Sequence, residues 1–163
     1  MKKEHFVRLM DFLSVHSGLR DLLCRACTLL PAVIMVIYPV IVLFLLLVQG
    51  NIPWPQILCP ALTLAGTVVL RRLFPRPRPF EVFAFSPLMS HRPGGSFPSR
   101  HSASALAIAL TAFAIHSAAG VVLIILAVLI GATRMLTGLH FPRDILGGYA
   151  LALLIGIPGL FLL

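Results

Sequence analysis

Charge is scarce in this chain, and negative charge scarcest: its 163 residues include 5 Asp+Glu against 13 Lys+Arg. With 11% charged and 59% hydrophobic residues, there is too little polar surface to cover a water-soluble core, which excludes a soluble globular domain. The few carboxylates form no cluster that could hold magnesium, and no metal site is expected. Cysteine is limited to Cys24, Cys27 and Cys59. The first two have CxxC spacing, but no second ligand pair accompanies them, and the plain reading is small packing residues. No short apolar stretch ends in a small-residue cleavage site, so no removable signal peptide is expected. Internal repeats and low-complexity tracts are also lacking.

What the chain has instead is long apolar runs. About 20 apolar residues are needed to cross the hydrocarbon core as a helix. Five candidates appear: Leu29–Val48, Gln56–Leu73, Ser99–Ile115, Val121–Met135, and Asp144 to the C-terminus. Pro31 and Pro39 are tolerable inside a membrane helix, and the turn Gln49–Pro55 supplies Trp54 as an interfacial anchor. Phe74–Pro98 holds six prolines and the Gly94-Gly95 tandem, a length usual only for functional or disordered loops. Residues 1–28 mix Phe6, Leu9, Phe12, Leu13, Leu19 and Leu23 with charges. They read as an amphipathic segment at the membrane surface, broken at Gly18, or alternatively as one partly buried against the bundle. The expected fold is all-α: one membrane-embedded domain over 1–163, with about five spans and an N-terminal interfacial helix.

The net charge of +8 narrows the partners to nucleic acid, anionic lipid or a phosphorylated substrate. Nucleic acid is disfavoured, because the basic residues sit between apolar spans and leave no soluble binding module. Threading five spans places every Lys and Arg on one face, from Lys2, Lys3 and Arg8 through to Arg134 and Arg143. The positive-inside rule would make that face cytoplasmic. Arginines present to bind an anion would carry no such message, and both explanations can hold together.

Three clusters lie on this face. Arg71, Arg72, Arg76 and Arg78 end the second span, spaced by stiffening prolines. Their planar forks suit phosphate oxygens, although a snorkelling collar at a helix end would look the same. The run Gly94-Gly95-Ser96-Phe97-Pro98-Ser99-Arg100-His101 opens the third span. Ser99 is a natural N-cap, and the free N–H groups of a helix start favour an anion beside His101. The bland alternative is a capped helix with a surface histidine. The third cluster is Thr133-Arg134, then His140 and Asp144 at the start of the fifth span. A His and an Asp four positions apart can hydrogen-bond, fixing the ring's tautomer and raising its basicity. Alternating spans bring all three clusters to the same end of the bundle.

Together these residues resemble the type 2 phosphatidic acid phosphatase superfamily. Its signature is Lys–six residues–Arg-Pro, Pro-Ser-Gly-His, and Ser-Arg–five residues–His–three residues–Asp. Here Arg71 and Arg78-Pro79, Pro98-Ser99-Arg100-His101, and Thr133-Arg134, His140 and Asp144 keep all internal spacings over residues 71–144. Arg71 replaces a lysine, Arg100 a glycine and Thr133 a serine. The resemblance implies a helical bundle and metal-independent hydrolysis of phosphate esters or anhydrides, with no cofactor. It implies that His140 is the nucleophile that becomes phosphohistidine, that Asp144 orients it, and that His101 protonates the leaving oxygen. Arg71, Arg78, Ser99, Arg100 and Arg134 would hold the phosphoryl group. Arg100, adding charge where the phosphate approaches, could favour a second phosphate.

A lipid phosphatase follows, with a polyprenyl diphosphate such as undecaprenyl diphosphate as the leading substrate. Phosphatidic acid, phosphatidylglycerol phosphate and lipid A phosphates stay open, as do phosphotransfer to another lipid and a non-catalytic lipid-binding or transport role. Membrane lipid is the expected partner, and no obligate protein partner is evident. The expected location is the inner or plasma membrane. The resemblance favours an extracytoplasmic site, against the charge bias.

Overall fold

The computed structural model describes residues 3–50 and 53–162; Lys2 and part of the Gln49–Pro55 turn fall outside them. The described chain is helical with no strand: α1 Lys3–Val15, α2 Ser17–Gln49, α3 Trp54–Leu73, α4 Pro79–Phe83, α5 Arg100–Ile115, α6 Ser117–Leu136 and α7 Pro142–Ile157, closed by a π turn at Pro158–Leu162. Four segments, Ser17–Val48, Trp54–Leu73, Ser117–Leu136 and Pro142–Leu162, are long and apolar enough to cross a membrane. Large apolar side chains such as Leu47 (77% exposed) and Leu154 (74%) point outward from them, a surface that only hydrocarbon would solvate. The molecule is a multi-pass membrane protein.

The third expected span, Ser99–Ile115, forms a shorter apolar helix, α5, at the centre of the bundle. α5 packs against α3, α6 and α7. Its sequence explains why: Ala103, Ala105, Ala107, Ala109 and Ala112 are all buried, and small residues let neighbouring backbones approach closely. At 16 residues α5 is shorter than α6, which has 20. The two are joined by the single residue His116, whose Nδ1 accepts from the Ala119 N–H. At 1.5 Å per residue, the start of α5 therefore stops about 6 Å short of the end of α6. The long loop, residues 74–99, is tied to this end of the bundle by Arg78, which donates to the Leu139 carbonyl, and by Ser96, which donates to Asp144.

The N-terminal segment differs from the expectation in two respects. The break falls at His16, not Gly18, with the ring Nδ1 donating to the Phe12 carbonyl oxygen at 2.9 Å. Residues 17–28 then belong to the long helix α2, since nothing in that stretch stops a helix once it has started. α1 is also more than a surface helix. Phe6, Met10 and Leu13 form a buried stripe, and the Phe6 ring packs against Phe83, Phe85 and Phe141 at centroid distances of 5.8, 6.0 and 5.7 Å. The alternative reading, burial against the bundle, describes it. All three cysteines are free, with Cys27 and Cys59 buried as packing residues.

Candidate active site

The floor of the site is the entrance to α7. Asp144 is fully buried, and its Oδ2 accepts from the Phe141 backbone N–H at 2.9 Å and from the Ser96 hydroxyl at 2.5 Å. His140 sits just before the helix, its Nδ1 3.5 Å from Ser96 Oγ and 3.8 Å from Asp144 Oδ2. The direct His–Asp hydrogen bond that the spacing allows is thus not made; 3.8 Å is ion-pair reach only. The carboxylate is occupied in capping α7, and Ser96 lies against both groups. Burial pushes the His140 pKa below its ordinary value, with Asp144 opposing. The ring is then neutral at pH 7. An Nδ1–H facing the Ser96–Asp144 pair leaves the Nε2 lone pair directed elsewhere.

Nε2 faces arginine. It lies 3.4 Å from Arg78 Nη1, which also donates to the Leu139 carbonyl at 3.1 Å, while Arg78 Nε donates to the Gly94 carbonyl at 3.2 Å. Arg71 Nη1 donates to the Pro98 carbonyl at 3.3 Å, and Arg134 Nη2 to the Cys27 carbonyl at 3.1 Å. Among the described residues, none of these three guanidiniums has a carboxylate in ion-pair contact. Arg78 and Arg134 are nonetheless almost fully buried, and Arg134 Nε has no partner at all. Burial, with Arg71 beside it, brings the Arg78 pKa down to about 10. Buried charge without a counter-charge is costly. Backbone carbonyls fix each fork in place without neutralising it.

Glycine makes room for this packing at two points. Gly95, at φ +58, lies where a Cβ would stand 2.9 Å from Arg71 Nη2, so the guanidinium rests on bare backbone. A Cβ on Gly148 would stand 2.7 Å from the Ser99 carbonyl oxygen, and its absence lets α7 approach the start of α5. The Ser99 N–H donates to the Asp144 carbonyl at 2.8 Å and joins the two helix starts.

A cavity of about 600 Å³ opens beside this floor, between α2, α3 and α5. His91, Arg100, His101 and Arg134 line one end, and Pro31, Ile34, Met35, Leu64 and Ile108 line the other. The structure thus gathers Arg71, Arg78, Arg100, His101, Arg134, His140 and Asp144 at one end of the bundle, as the alternation of spans predicts. Ser99 is placed differently. It caps α5 as expected, but its buried hydroxyl accepts from Ser102 N at 3.4 Å and pairs with Ser102 Oγ at 3.0 Å, away from the cavity wall.

Three further residues take part that the sequence pattern did not single out. Ser96 holds Asp144. Glu81 Oε2 accepts from Arg78 N at 2.8 Å and Gly94 N at 2.9 Å, closing the loop around the guanidinium. His91 reaches the cavity from the loop. Ser96 had a signal, its place two residues after a glycine tandem and three before a helix cap; Glu81 and His91 had none beyond residue type. Among the described residues no cluster of His, Cys, Asp or Glu is arranged to hold a metal ion.

A family model described as the PAP2 superfamily matches residues 53–161. Undecaprenyl-diphosphatase BcrC of Bacillus subtilis is 34% identical over 96 residues, 57% of this chain and 50% of that protein. A lipid A 1-phosphatase of Rhizobium etli is 32% identical over 87 residues, 50% of this chain and 38% of that protein. This chain therefore aligns with half or less of the length of these curated relatives. The crystal structure of Aquifex aeolicus LpxE superposes with a TM-score of 0.71 at 27% identity, covering 87% of this chain and 85% of that one.

Proposed function

Because this chain belongs to the PAP2 superfamily, we propose that it is a lipid phosphatase acting through a phosphohistidine at His140. The observation that carries this is a histidine whose outward nitrogen faces buried Arg78, with half-buried Arg71 and buried Arg134 close by, none of the three guanidiniums in ion-pair contact with a carboxylate among the described residues. Such an arrangement is stabilised by a bound anion, and Nε2 is placed to attack it.

The geometry supports the following steps. Arg71, Arg78 and Arg134 hold the phosphoryl oxygens, aided by the free N–H groups of the α5 start that Ser99 caps. His140 Nε2 forms a bond to phosphorus as the bond to the leaving oxygen breaks. The ring becomes cationic, and the buried Asp144 carboxylate, held by Ser96 and Phe141 N–H, stabilises that charge. His101, on the cavity wall, takes up a proton once the bound phosphate offsets the surrounding arginines, and gives it to the leaving oxygen. Water then attacks the phosphohistidine as His101 takes a proton from it, and the break of the N–P bond releases phosphate and restores neutral His140. Every charge needed comes from side chains, and no cofactor enters.

The apolar end of the cavity would keep the lipid tail in hydrocarbon. The favoured substrate is a polyprenyl diphosphate, by likeness to the undecaprenyl-diphosphatase, in a bacterial cell membrane with the site on the extracytoplasmic side. The test is phosphate release by purified protein in excess EDTA from undecaprenyl diphosphate and phosphatidic acid in parallel. Release from either, absent in a folded His140→Ala variant, is the expected result. Normal turnover by that variant, or a strict need for magnesium, would overturn the mechanism.

A further inference from the structure

The cavity has more positive groups than the transfer of one phosphoryl group uses. From Arg100 to Ile108, its wall along α5 runs from charge to hydrocarbon over about 12 Å, at 1.5 Å per residue. His140, Arg78 and Arg71 lie behind the charged end, in the floor. Arg100 and His91 line the cavity itself, with His101 and Arg134.

Neither has protein work to do. Among the described residues, the Arg100 side chain makes no hydrogen bond or ion pair, and it is exposed. It stands near enough to Arg71 and Arg78 for their charges to repel. His91 is half-buried in the loop wall, held down to about 4 by burial and by Arg78 and Arg134. At neutral pH it offers one N–H donor and no charge. Of the arginines at this end of the bundle, Arg100 and Arg134 line the cavity itself, and only Arg134 is tied to a backbone carbonyl.

We propose that Arg100 and His91 form a subsite for the second phosphate of a lipid diphosphate, between the phosphoryl group transferred to His140 and the tail in the apolar trough. The proposal rests on the lipid phosphatase reading and narrows its substrate class. The bond that forms is His140 Nε2 to the terminal phosphorus; the bond that breaks joins that phosphorus to the bridging oxygen. The electron pair stays on the bridging oxygen of the departing lipid monophosphate, which receives the His101 proton, while Arg100 holds the other oxygens of that phosphate. A monoester would set an uncharged alcohol oxygen and its chain against that guanidinium, and the cation would gain nothing there.

The experiment compares kcat/KM for a polyprenyl diphosphate and for the polyprenyl monophosphate of the same chain length, using the full chain in detergent with EDTA. The wild type should prefer the diphosphate. Arg100→Gly should lower that preference tenfold or more, Arg100→Lys should retain most of it, and His91→Ala should lower it by a smaller factor. Gel filtration checks that each variant is folded. A ratio unchanged within threefold in both Arg100→Gly and His91→Ala would overturn the subsite. Equal loss on the two substrates would also overturn it, because Arg100 would then serve the transferred phosphate. A wild type that cleaves neither lipid would instead remove the phosphatase reading beneath it.

Discussion

Replacing Arg78 by lysine keeps a cation beside His140 Nε2 but removes the fork. Arg78 now divides its donors between the Gly94 and Leu139 carbonyls and the nitrogen that would attack phosphorus. An ammonium cannot span all three directions from one buried stem. Removing one preorganised donor from a developing charge costs about 10²–10³ in kcat, or roughly 2.7–4 kcal/mol. Arg78→Ala should show that full loss, and Arg78→Lys an intermediate one. The lysine variant should also acquire a pH signature. Burial already brings the arginine down to about 10. Lysine starts roughly two pH units lower than arginine in water. The same burial should therefore cost Arg78→Lys its charge, and its activity, at a pH about two units below the alkaline limit of the wild type. The assay is the pH profile of phosphate release in EDTA for all three proteins. Coincident alkaline limbs for Arg78→Lys and wild type, or an Arg78→Ala rate within tenfold of wild type, would refute the assignment of Arg78 to the reacting phosphoryl group.

Ser96→Ala removes the shortest bond to Asp144, yet the carboxylate can close the 3.8 Å gap to His140 directly; kcat should fall about tenfold or less, far short of His140→Ala. A loss equal to that of His140→Ala would give Ser96 a direct part in the chemistry. Because burial lowers the His140 pKa, its attacking neutral form should persist below pH 6.5, and activity should fall only as acid protonates the ring beneath that point. An acid limb at or above 6.5 in the kcat/KM profile would contradict the burial argument. Phe6→Ala empties the centre of the aromatic cluster, a change worth about 3–5 kcal/mol at a fully buried ring. It should expose α1 to limited proteolysis and slow turnover through Phe141, next to His140; an equally resistant, equally active variant would show that the cluster does not support the site.

The spans and their end-to-end convergence could be read from the chain because lipid imposes a simple rule: apolar runs of fixed length, with charge where they stop. His140, Asp144 and Ser99 were legible because helix starts have local chemistry, a cap and a nearby acid. The residues that complete the site are held by contacts remote in sequence. Ser96 meets Asp144 across 48 positions and Glu81 meets Gly94 across 13, and no local pattern encodes such a meeting. The α1 stripe Phe6, Met10, Leu13 was visible, but a bilayer surface and a protein surface ask for the same spacing. Ser99 shows the opposite failure. Its position was read correctly, and its hydroxyl proved to be turned into its own helix.

The short central helix has a consequence for the work of catalysis. A lipid whose phosphate must be handled at the water's edge has to be hauled partly out of the bilayer, at about 0.8 kcal/mol for each methylene brought into water. Here the start of α5 stops about 6 Å below the end of its neighbour, by the 16 and 20 residues of the two helices. For the proposed lipid phosphatase, this offset sets the reacting groups nearer the apolar end of the cavity than the end of α6 would. On that reading less of the tail has to leave hydrocarbon, and water has to reach further in.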